Sequence, residues 1–427
     1  MKLLAEFFLP LSIIFSLSPL NAANDGNGIL QNVEEGNIKT SFTNNDDYAD
    51  LASFGEAIGD KRFVVLDEAT HGEGNVFALK ARLVKYLYEK KEFDVFLIES
   101  ALYDVSRVWM NDKAPIANQA PGNIFYMYAN SAEMQPLFNY IDTKRTSNRP
   151  LQFAGFDNRH SGSLSNSALL PNLKAFLKKT DSNLPSSQVW AQFTAITADL
   201  LKGKPSPASD AEQKQYFATA SKIASFLSAA TQLQTNNHFK SNAFWYRIIK
   251  SITRMAEVAW GLQTVPDHDL EMIQNIEWLM KEVYPGKKAI VWGHYVHVAP
   301  NGNPDHSTVA MPGPVRNVGT ELKKIWPDDV YYTHFGSGTG AFTNFITLET
   351  ENITAPSTSS LEALLNKKSI TSAFIDTSNL DLKKATAEGT TMWTYDYAAQ
   401  APLADWKNHW DGMFFLNPAV PVDYIGR

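Results

Sequence analysis

The stretch that most constrains the fold reads Phe63-Val64-Val65-Leu66-Asp67-Glu68-Ala69-Thr70-His71-Gly72, an apolar run that leads directly into acidic residues and a histidine. Continuous apolar runs of this length are typical of strands buried on both faces, as in a parallel sheet. Downstream, apolar residues recur every three or four positions, at Val76, Leu79, Leu83 and Leu87. This spacing predicts an amphipathic helix. A second apolar run, residues 95–98, completes a predicted strand–helix–strand unit.

Similar apolar runs recur along the rest of the chain. They lie at residues 151–154, 289–292, 330–332, 372–375 and 413–416. The stretch 165–284 instead shows helical periodicity and almost no strand signal. The sequence therefore predicts an α/β domain with a mostly parallel sheet, formed by residues 46–164 and 285–427. It also predicts a helical insertion at residues 165–284, between the third and fourth strands.

Composition narrows the class of protein. The chain has 427 residues, of which 44% are hydrophobic, enough for a large core. Its formal net charge of -7 and pI near 5.8 give no electrostatic reason to expect nucleic acid or anionic lipid as a partner. The chain has no cysteine, which excludes disulfides, thiolate metal sites and cysteine nucleophiles.

The N-terminus carries a targeting signal. Lys2 is followed by an apolar stretch, residues 7–17, and then by the small-residue run Asn21-Ala22-Ala23. This order predicts a secretory signal peptide over residues 1–23 and a periplasmic or secreted protein. A membrane anchor is the alternative, but the apolar run is shorter than the ~20 residues a spanning helix needs. No stable membrane insertion is expected after cleavage. Residues 24–45, rich in Asn, Gly and Asp, are predicted to be an exposed, flexible leader.

Ionisable residues follow three of the predicted strands. They are Glu68 and His71 after the first strand, Glu99 at the end of the second, and His294 and His297 after the fourth. In a parallel sheet these side chains converge at one edge, where carboxylates can orient a neutral imidazole as a base. Each residue also has a structural alternative. Glu99 could be a helix cap or an ion-pair partner, and His71 could cap the following helix. The two later histidines would lie on opposite faces of a strand unless the chain turns after Gly293.

These residues resemble the erythromycin esterase family. The segment 66–72 is similar to that family's Gly-Glu-x-x-His-Gly motif, and Trp292-Gly293-His294-Tyr295-Val296-His297 is similar to its Ala-His-Asn-x-His motif. Gly155-Phe156-Asp157 and the segment 318–322 fit as well. The chain departs from the family at Asp67 and Tyr295, which replace Gly and Asn, and at Gly293, which replaces Ala. At Lys80 the family often carries Arg.

The resemblance implies a three-layer α/β/α fold with a helical-bundle insertion and metal-independent hydrolysis of a macrolactone ester, without a cofactor. It implies that His71 is the general base and that Glu68, Glu99, His294 and His297 line the cleft. A small macrolide-like ester would be the substrate, which suggests a role in macrolide resistance. The residues expected to contact this substrate are Lys80, Arg82, Trp109, Tyr126 and Tyr295.

A water molecule activated by His71 agrees with the absence of a serine-nucleophile motif from the sequence. There is no Gly-x-Ser-x-Gly elbow, and Ser100 and Ser337 are better interpreted as turn residues than as nucleophiles. A water activated by His71 needs a carboxylate to orient the ring, which Glu68 or Glu99 could supply. It also needs a donor for the oxyanion, for which His294 or His297, with Lys80 or Arg82, are the candidates.

Two alternatives remain open at the level of sequence. Two glutamates and three histidines are also a ligand set for zinc or manganese, which would make the protein a metallohydrolase. A catalytically inactive relative that binds a glycan or lipid at the envelope is the second alternative. Aromatic residues after the second strand could then line an apolar groove, and they are Trp109, Phe125, Tyr126 and Tyr128.

Overall fold

A seven-stranded sheet lies at the centre of the computed structural model, which describes residues 28–179, 183–204, 209–229, 237–262, 265–300, 316–394, 399–403 and 406–425. The described strands are β1 (Phe63–Leu66), β2 (Phe93–Ala101), β3 (Gln152–Asp157), β4 (Lys288–Trp292), β5 (Val330–Gly336), β6 (Ala341–Thr343), β7 (Thr350–Asn352), β8 (Ser372–Asp376), β9 (Thr391–Thr394), β10 (Ala399–Pro402) and β11 (Gly412–Leu416). The predicted signal peptide lies outside the described residues.

The strand order in the sheet is β3-β2-β4-β1-β5-β11-β8. Neighbouring strands pair in parallel, except that β8 runs antiparallel to β11 at one edge. Each predicted apolar run lies in a sheet strand, and the prediction of a mostly parallel α/β sheet is confirmed. The hairpins β6–β7 and β9–β10 had no counterpart in the prediction.

The helices flank this sheet. In chain order they are α1 (Ala52–Ile58), α2 (Gly74–Lys91), α3 (Leu102–Met110), α4 (Ile116–Gln119), α5 (Tyr126–Ala129), α6 (Gln135–Arg145), α7 (Leu170–Lys179), α8 (Gln188–Leu201), α9 (Asp210–Ala229), α10 (Asn242–Ala259), α11 (Val265–Trp278), α12 (Tyr295–Val298), α13 (Val318–Ile325), α14 (Leu361–Lys367), α15 (Leu382–Glu388) and α16 (Trp406–His409). Among the helices described, none is long and apolar enough to cross a membrane.

Both faces of the sheet are covered. Successive residues of a strand point to opposite faces, and β1 shows this directly. Phe63 and Val65 belong to a core shared with α10, α11 and α13, whereas Val64 and Leu66 belong to a second core shared with α1, α2 and α6. The sheet therefore lies between two helical layers, as the three-layer prediction required.

The interval between β3 and β4 contains helices α7 to α11 and, in its described residues, no strand. Its last helix, α11, packs Met272, Ile273 and Ile276 into the core that contains Val65 of β1. The helical character of the interval agrees with the sequence pattern, while the division of the chain into domains stays a prediction. Because one core joins α11 to the sheet, α11 can bring side chains to the edge of the sheet.

A few residues of the predicted flexible leader attach its described part, residues 28–45, to the sheet domain. Ile29, Leu30 and Val33 are buried in the same core as α11. The backbone N–H of Gly36 donates to the carbonyl of Ser372 on β8 at 2.7 Å. Glu35 accepts hydrogen bonds from the backbone N–H groups of Thr371 and Ser372. The polar composition of this segment concealed the few apolar residues that attach it.

The β6–β7 hairpin lies against the loop that follows β1. The N–H of Thr343 donates to the carbonyl of Gly72 at 3.0 Å, and the N–H of Val422 donates to the same carbonyl. A Cβ atom at Gly72 would lie 1.8 Å from the carbonyl oxygen of Thr343, so this close approach requires glycine. The hairpin therefore covers the loop that carries His71.

Candidate active site

The ends of β1, β2 and β4 bring the predicted residues together. Glu68 and His71 follow β1, Glu99 lies near the end of β2, and His294 is the second residue after β4. The His71 and His294 rings have centroids 4.6 Å apart, and the N–H of His294 donates to Glu99 at 2.7 Å. The parallel pairing of β1, β2 and β4 makes these strand ends neighbours. The predicted convergence at one edge of the sheet is therefore observed.

Glu68 is the most heavily bonded group of the site. Its fully buried carboxylate lies within hydrogen-bonding distance of four groups: Nδ1 of His71 at 2.6 Å, Nζ of Lys80 at 2.7 Å, the hydroxyl of Tyr128 at 2.7 Å and Nε1 of Trp292 at 2.9 Å. Burial raises its pKa, but the Lys80 charge and the His71 hydrogen bond lower it well below its usual range. Glu68 is thus an ionised anchor that fixes the ring of His71.

His71 is held as a neutral imidazole. Burial lowers its pKa more than the bond to Glu68 raises it, so the ring is uncharged near neutral pH. Since Nδ1 faces the Glu68 carboxylate, Nε2 is the nitrogen available to a reacting molecule. The rings of Phe125 and Phe345 pack around the imidazole, with centroids at 4.7 and 5.2 Å. The site therefore presents a base inside an apolar enclosure.

Glu99 connects this base to a second group of charges. It lies at an irregularity of the β2–β3 pairing, where the register shifts between Ile98 and Ala101. One oxygen accepts from the His294 backbone, and the other lies 3.1 Å from Nη2 of Arg159 and 3.7 Å from Nε2 of His297. Bulges often redirect a side chain next to an active site. Here the bulge directs Glu99 toward both histidines that follow β4.

The chain does turn after Gly293, as the His294–His297 pair required. His294 caps the short helix α12, and His297 lies within it. A Cβ atom at Gly293 would lie 2.8 Å from Val298 and 3.0 Å from the Glu99 carboxylate. The alanine of the family motif would crowd these neighbours, so glycine suits this packing. The two histidines consequently face Glu99 from one short turn.

The helical insertion contributes to the site through α11. Asp269 lies 2.7 Å from Nδ1 of His297, and His268 lies 3.5 Å from Asp157 at the end of β3. Burial lowers the pKa of His297, but the carboxylates of Asp269 and Glu99 raise it to about 9. Burial lowers the pKa of His268 to about 3. His297 is therefore a cation and His268 is neutral.

Several residues of the site escaped the sequence analysis. Arg159, His268, Asp269 and Phe345 were not named at all, whereas Tyr128 was named only for a possible apolar groove and Trp292 only as part of a motif. Asp157 was noted only as part of a similar segment, and Arg159, two residues later, carried no further signal. His268 and Asp269 lie on a helix that no strand end marked. The hydrogen bonds from Tyr128 and Trp292 to Glu68 could not be predicted from sequence spacing, because these two residues lie on different elements far along the chain.

Four of the predicted substrate contacts have other partners in the structure, and their contact with a substrate stays a prediction. Lys80 is fully buried against Glu68. Arg82 binds Asp46 and Asp50 at 2.5–2.9 Å, because two residues along a helix turn a side chain by about 200°. The three other predicted contacts are aromatic. Tyr295 is fully buried, and Trp109 packs at the end of α3 beneath Arg145, whereas Tyr126 lines a cavity.

Two departures from the family motif also have structural partners. Asp67, in place of Gly, lies 2.9 Å from Nδ1 of the buried His334 and accepts from Nε1 of Trp410 at 2.5 Å. Tyr295, in place of Asn, donates its backbone N–H to the carbonyl of Glu68 at 3.0 Å. The serines considered as nucleophiles are occupied, since Ser100 accepts from the Phe125 backbone and Ser337 donates to the Leu416 carbonyl. Asp67 therefore adds a polar cluster beneath the site.

A cavity of about 340 Å³ adjoins the site. Its walls include Phe125, which contacts His71, and Arg159, which binds Glu99. Within the described residues, three ligand atoms close enough to share one metal ion occur at Asp46, Asp47 and Asp50, where Arg82 binds two of the carboxylates. Among the described residues, the glutamates and histidines of the site do not form such a group.

Sequence comparison assigns the chain to a family. The model of the family described as erythromycin esterase matches residues 88–416, most of the chain. The chain belongs to the erythromycin esterase family. The matched range includes Glu99, His294 and His297 and begins after Glu68 and His71. The family resemblance inferred from the motifs is confirmed, and with it membership in a hydrolase family.

Relatives of this erythromycin esterase family member match most of its length. The Bacillus subtilis (strain 168) protein named "Putative hydrolase YbfO" is 25% identical over 403 residues, which are 87% of each chain. A solved Bacillus cereus protein superimposes with a TM-score of 0.71 at 18% identity, over 93% of this chain and 98% of its own. A mutant of the erythromycin esterase EreC in its open conformation gives 0.61 at 17%, over 90% and 97%. These structures show a common fold.

Proposed function

We propose that the protein is a carboxylic ester hydrolase in which His71 activates a water molecule. The observation that supports this is the 2.6 Å hydrogen bond between Nδ1 of His71 and the buried Glu68 carboxylate. An ionised carboxylate only accepts hydrogen bonds, so the ring proton lies on Nδ1 and Nε2 keeps its lone pair. Burial keeps this imidazole neutral by lowering its pKa, as a general base near neutral pH requires.

The proposed reaction consumes one water per ester. Nε2 of His71 removes a proton from water while the water oxygen forms a bond to the carbonyl carbon, and the carbonyl electron pair moves onto its oxygen. The tetrahedral intermediate then breaks its bond to the leaving alkoxide, which receives the proton from His71. His297 and Arg159 are positively charged groups that lie against Glu99. Such donors stabilise a developing oxyanion.

The substitution His71→Ala tests the role of the base. We expect hydrolysis of aryl esters to fall about 10²–10⁴-fold, the usual contribution of a general base. His238→Ala, in the connection between α9 and α10, is the matched control and should retain its rate. Circular dichroism verifies that both variants are folded. A folded His71→Ala protein that keeps more than half of the rate would remove His71 from this role.

Family membership supports a proposal for the substrate class. One solved relative is named an erythromycin esterase, and we extend the proposal to macrolactone esters and to macrolide resistance. Purified protein should add one water to erythromycin, which mass spectrometry detects directly. If erythromycin is unchanged while aryl esters are hydrolysed in a His71-dependent way, ester hydrolysis stands and the macrolide assignment is wrong.

Export belongs to the same proposal. The charged, apolar and small-residue segments of residues 1–23 predict a cleaved signal peptide, which would place the enzyme in the periplasm or outside the cell. N-terminal sequencing of protein from cell fractions tests this. We expect a mature chain that begins near residue 24, and an intact N-terminus in the cytoplasmic fraction would contradict export.

A further inference from the structure

The 340 Å³ cavity that adjoins the site through Phe125 has polar groups that the proposed ester hydrolysis does not use. Polar groups and aromatic rings share its walls, which are formed by residues 100–101, 122–126, Asp157, Arg159 and residues 161–162. Its volume lies at the lower end of the range for small-molecule pockets, roughly 300–1,000 Å³. The cavity therefore fits one ring-sized part of a substrate rather than a whole macrolide.

Arg159 is the strongest hydrogen-bond donor in this cavity. Its Nε and Nη2 atoms bind Asp157 at 2.7–2.8 Å, and Nη2 also binds Glu99 at 3.1 Å. These bonds fix the guanidinium, while Nη1 has no hydrogen-bond partner among the described residues. The side chain is 53% exposed where it lines the cavity. A rigidly held N–H fork that remains accessible is suited to binding an oxygen acceptor.

The surrounding charges determine which acceptor is favoured. Two carboxylates, Asp157 and Glu99, compensate the single charge of Arg159, and both are nearly buried. His297 adds one positive charge, but Asp269 lies directly against it. A carboxylate or phosphate entering the cavity would therefore meet no net positive charge. Neutral acceptors such as hydroxyl and ether oxygens avoid this repulsion.

The remaining walls fit a ring with one apolar face. The aromatic side chains of Phe125 and Tyr126 line the cavity, and Phe125 also contacts the His71 ring. The exposed hydroxyl of Ser161 adds a second donor near Arg159. A pyranose combines an apolar C–H face with a rim of hydroxyls. We propose that this cavity binds a neutral, hydroxyl-rich ring of pyranose size that forms part of the ester substrate.

A matched set of esters tests the proposal, and its kinetic part rests on the proposed esterase function. The first ester is the acetate of methyl glucoside at its primary hydroxyl, and the second is the acetate of cyclohexylmethanol, which has a similar ring without hydroxyls. The third is the acetate of a cyclohexylmethanol that carries a carboxylate on its ring. We expect wild-type kcat/KM for the glucoside ester to exceed that for the other two by about tenfold or more.

Two variants link this preference to the cavity. Arg159→Met removes the donor fork and should reduce the ratio of kcat/KM between glucoside and cyclohexyl esters to about one. Because Arg159 also contacts Glu99, both rates can fall, and the ratio isolates recognition from catalysis. Ser161→Ala does not involve a group bonded to Glu99 and should raise KM for the glucoside ester a few-fold with kcat unchanged. Equal ratios in wild type and Arg159→Met would overturn the proposal.

Binding of methyl glucoside, measured by ligand-observed NMR, separates the two proposals. If methyl glucoside binds wild type but not Arg159→Met while no ester is hydrolysed, the cavity assignment stands and the esterase function fails. If the esters are hydrolysed without preference and methyl glucoside does not bind, the reverse holds. Preference for the carboxylated ester would show that the cavity takes anions instead, which also contradicts the assignment.

Discussion

Glu68–His71 and Asp269–His297 are two carboxylate–imidazole pairs of one site, with nearly equal separations of 2.6 and 2.7 Å. Their rings nevertheless differ in charge. Burial lowers the pKa of His71, which stays neutral, whereas two carboxylates raise the pKa of His297 to about 9 despite its burial. The first pair lies in the loop between β1 and α2, and the second joins α11 to the turn after β4.

The difference arises from the neighbours of each carboxylate. Lys80 lies 2.7 Å from Glu68 and lowers the pKa of that carboxylate, and His294 adds to the effect of burial in lowering the pKa of His71. His297 faces both Asp269 and Glu99, at 2.7 and 3.7 Å. The charge of each imidazole therefore depends on all the charged groups around it and not only on its paired carboxylate. Opposite charge states let one site hold a base and a cation together.

The largest effect on hydrolysis is expected when the first pair is broken at its carboxylate. Glu68→Ala frees the His71 ring and leaves Lys80 buried without its counter-ion. Hydrolysis should fall about 10²–10⁴-fold, and the free energy of unfolding by about 3–5 kcal/mol. Urea denaturation measures the second quantity, and the double variant Glu68→Gln, Lys80→Met should recover much of it. A stable, active Glu68→Ala protein would contradict the anchoring role.

An intermediate effect is expected at the second pair and depends on pH. His297 has a raised pKa, so its charged form contributes stability fully below pH 6.5, its ordinary pKa, and loses it as pH rises through about 9. Asp269→Asn removes one carboxylate and should move the alkaline limb of kcat/KM down toward 6.5. If catalysis needs the cation, the rate at pH 8 falls about tenfold relative to wild type. Asp210→Asn, at an exposed position of α9, is the control. An unshifted limb in Asp269→Asn would mean that His297 need not be charged.

A small effect on hydrolysis is expected at Arg82, two residues beyond Lys80. Arg82→Met leaves Asp46 and Asp50 without their buried partner, so the free energy of unfolding should fall by about 3–5 kcal/mol. The rate per folded molecule should stay within about twofold of wild type, because Arg82 lies on the face of α2 away from Glu68. Active-site titration gives the rate per folded molecule, and urea denaturation gives the free energy of unfolding. A large loss of rate in folded protein would restore the predicted contact with substrate.

No effect is expected from chelation. A water activated by His71 needs no metal, whereas a metal-bound hydroxide does. Dialysis against a strong chelator should leave both the rate and its pH profile unchanged. Activity that is lost on dialysis and returns with zinc or manganese would favour the metallohydrolase alternative, with both pairs acting as ligands.

The sequence predicted the elements of the site better than its connections. Apolar runs marked the strands, and parallel pairing was enough to bring Glu68, His71, Glu99 and His294 to one edge. Asp269 could not be predicted this way, because its position depends on how α11 packs on the sheet, and the insertion's periodicity carries no such information. Arg82 is different, since the helical period already separates it from Lys80 by about 200°. The family resemblance explained neither Asp67 nor the Arg159 cavity.

The attachment of residues 29–38 to β8 has a consequence for how the protein behaves in solution. An edge strand offers unpaired N–H and C=O groups to any other strand it meets, which promotes association between sheets. Glu35 and Gly36 occupy that edge at Thr371 and Ser372. A chain shortened to begin at residue 46 would expose it, and light scattering should then show self-association at concentrations where the longer chain stays dispersed. A shortened chain that stays dispersed would show that the segment does not protect this edge.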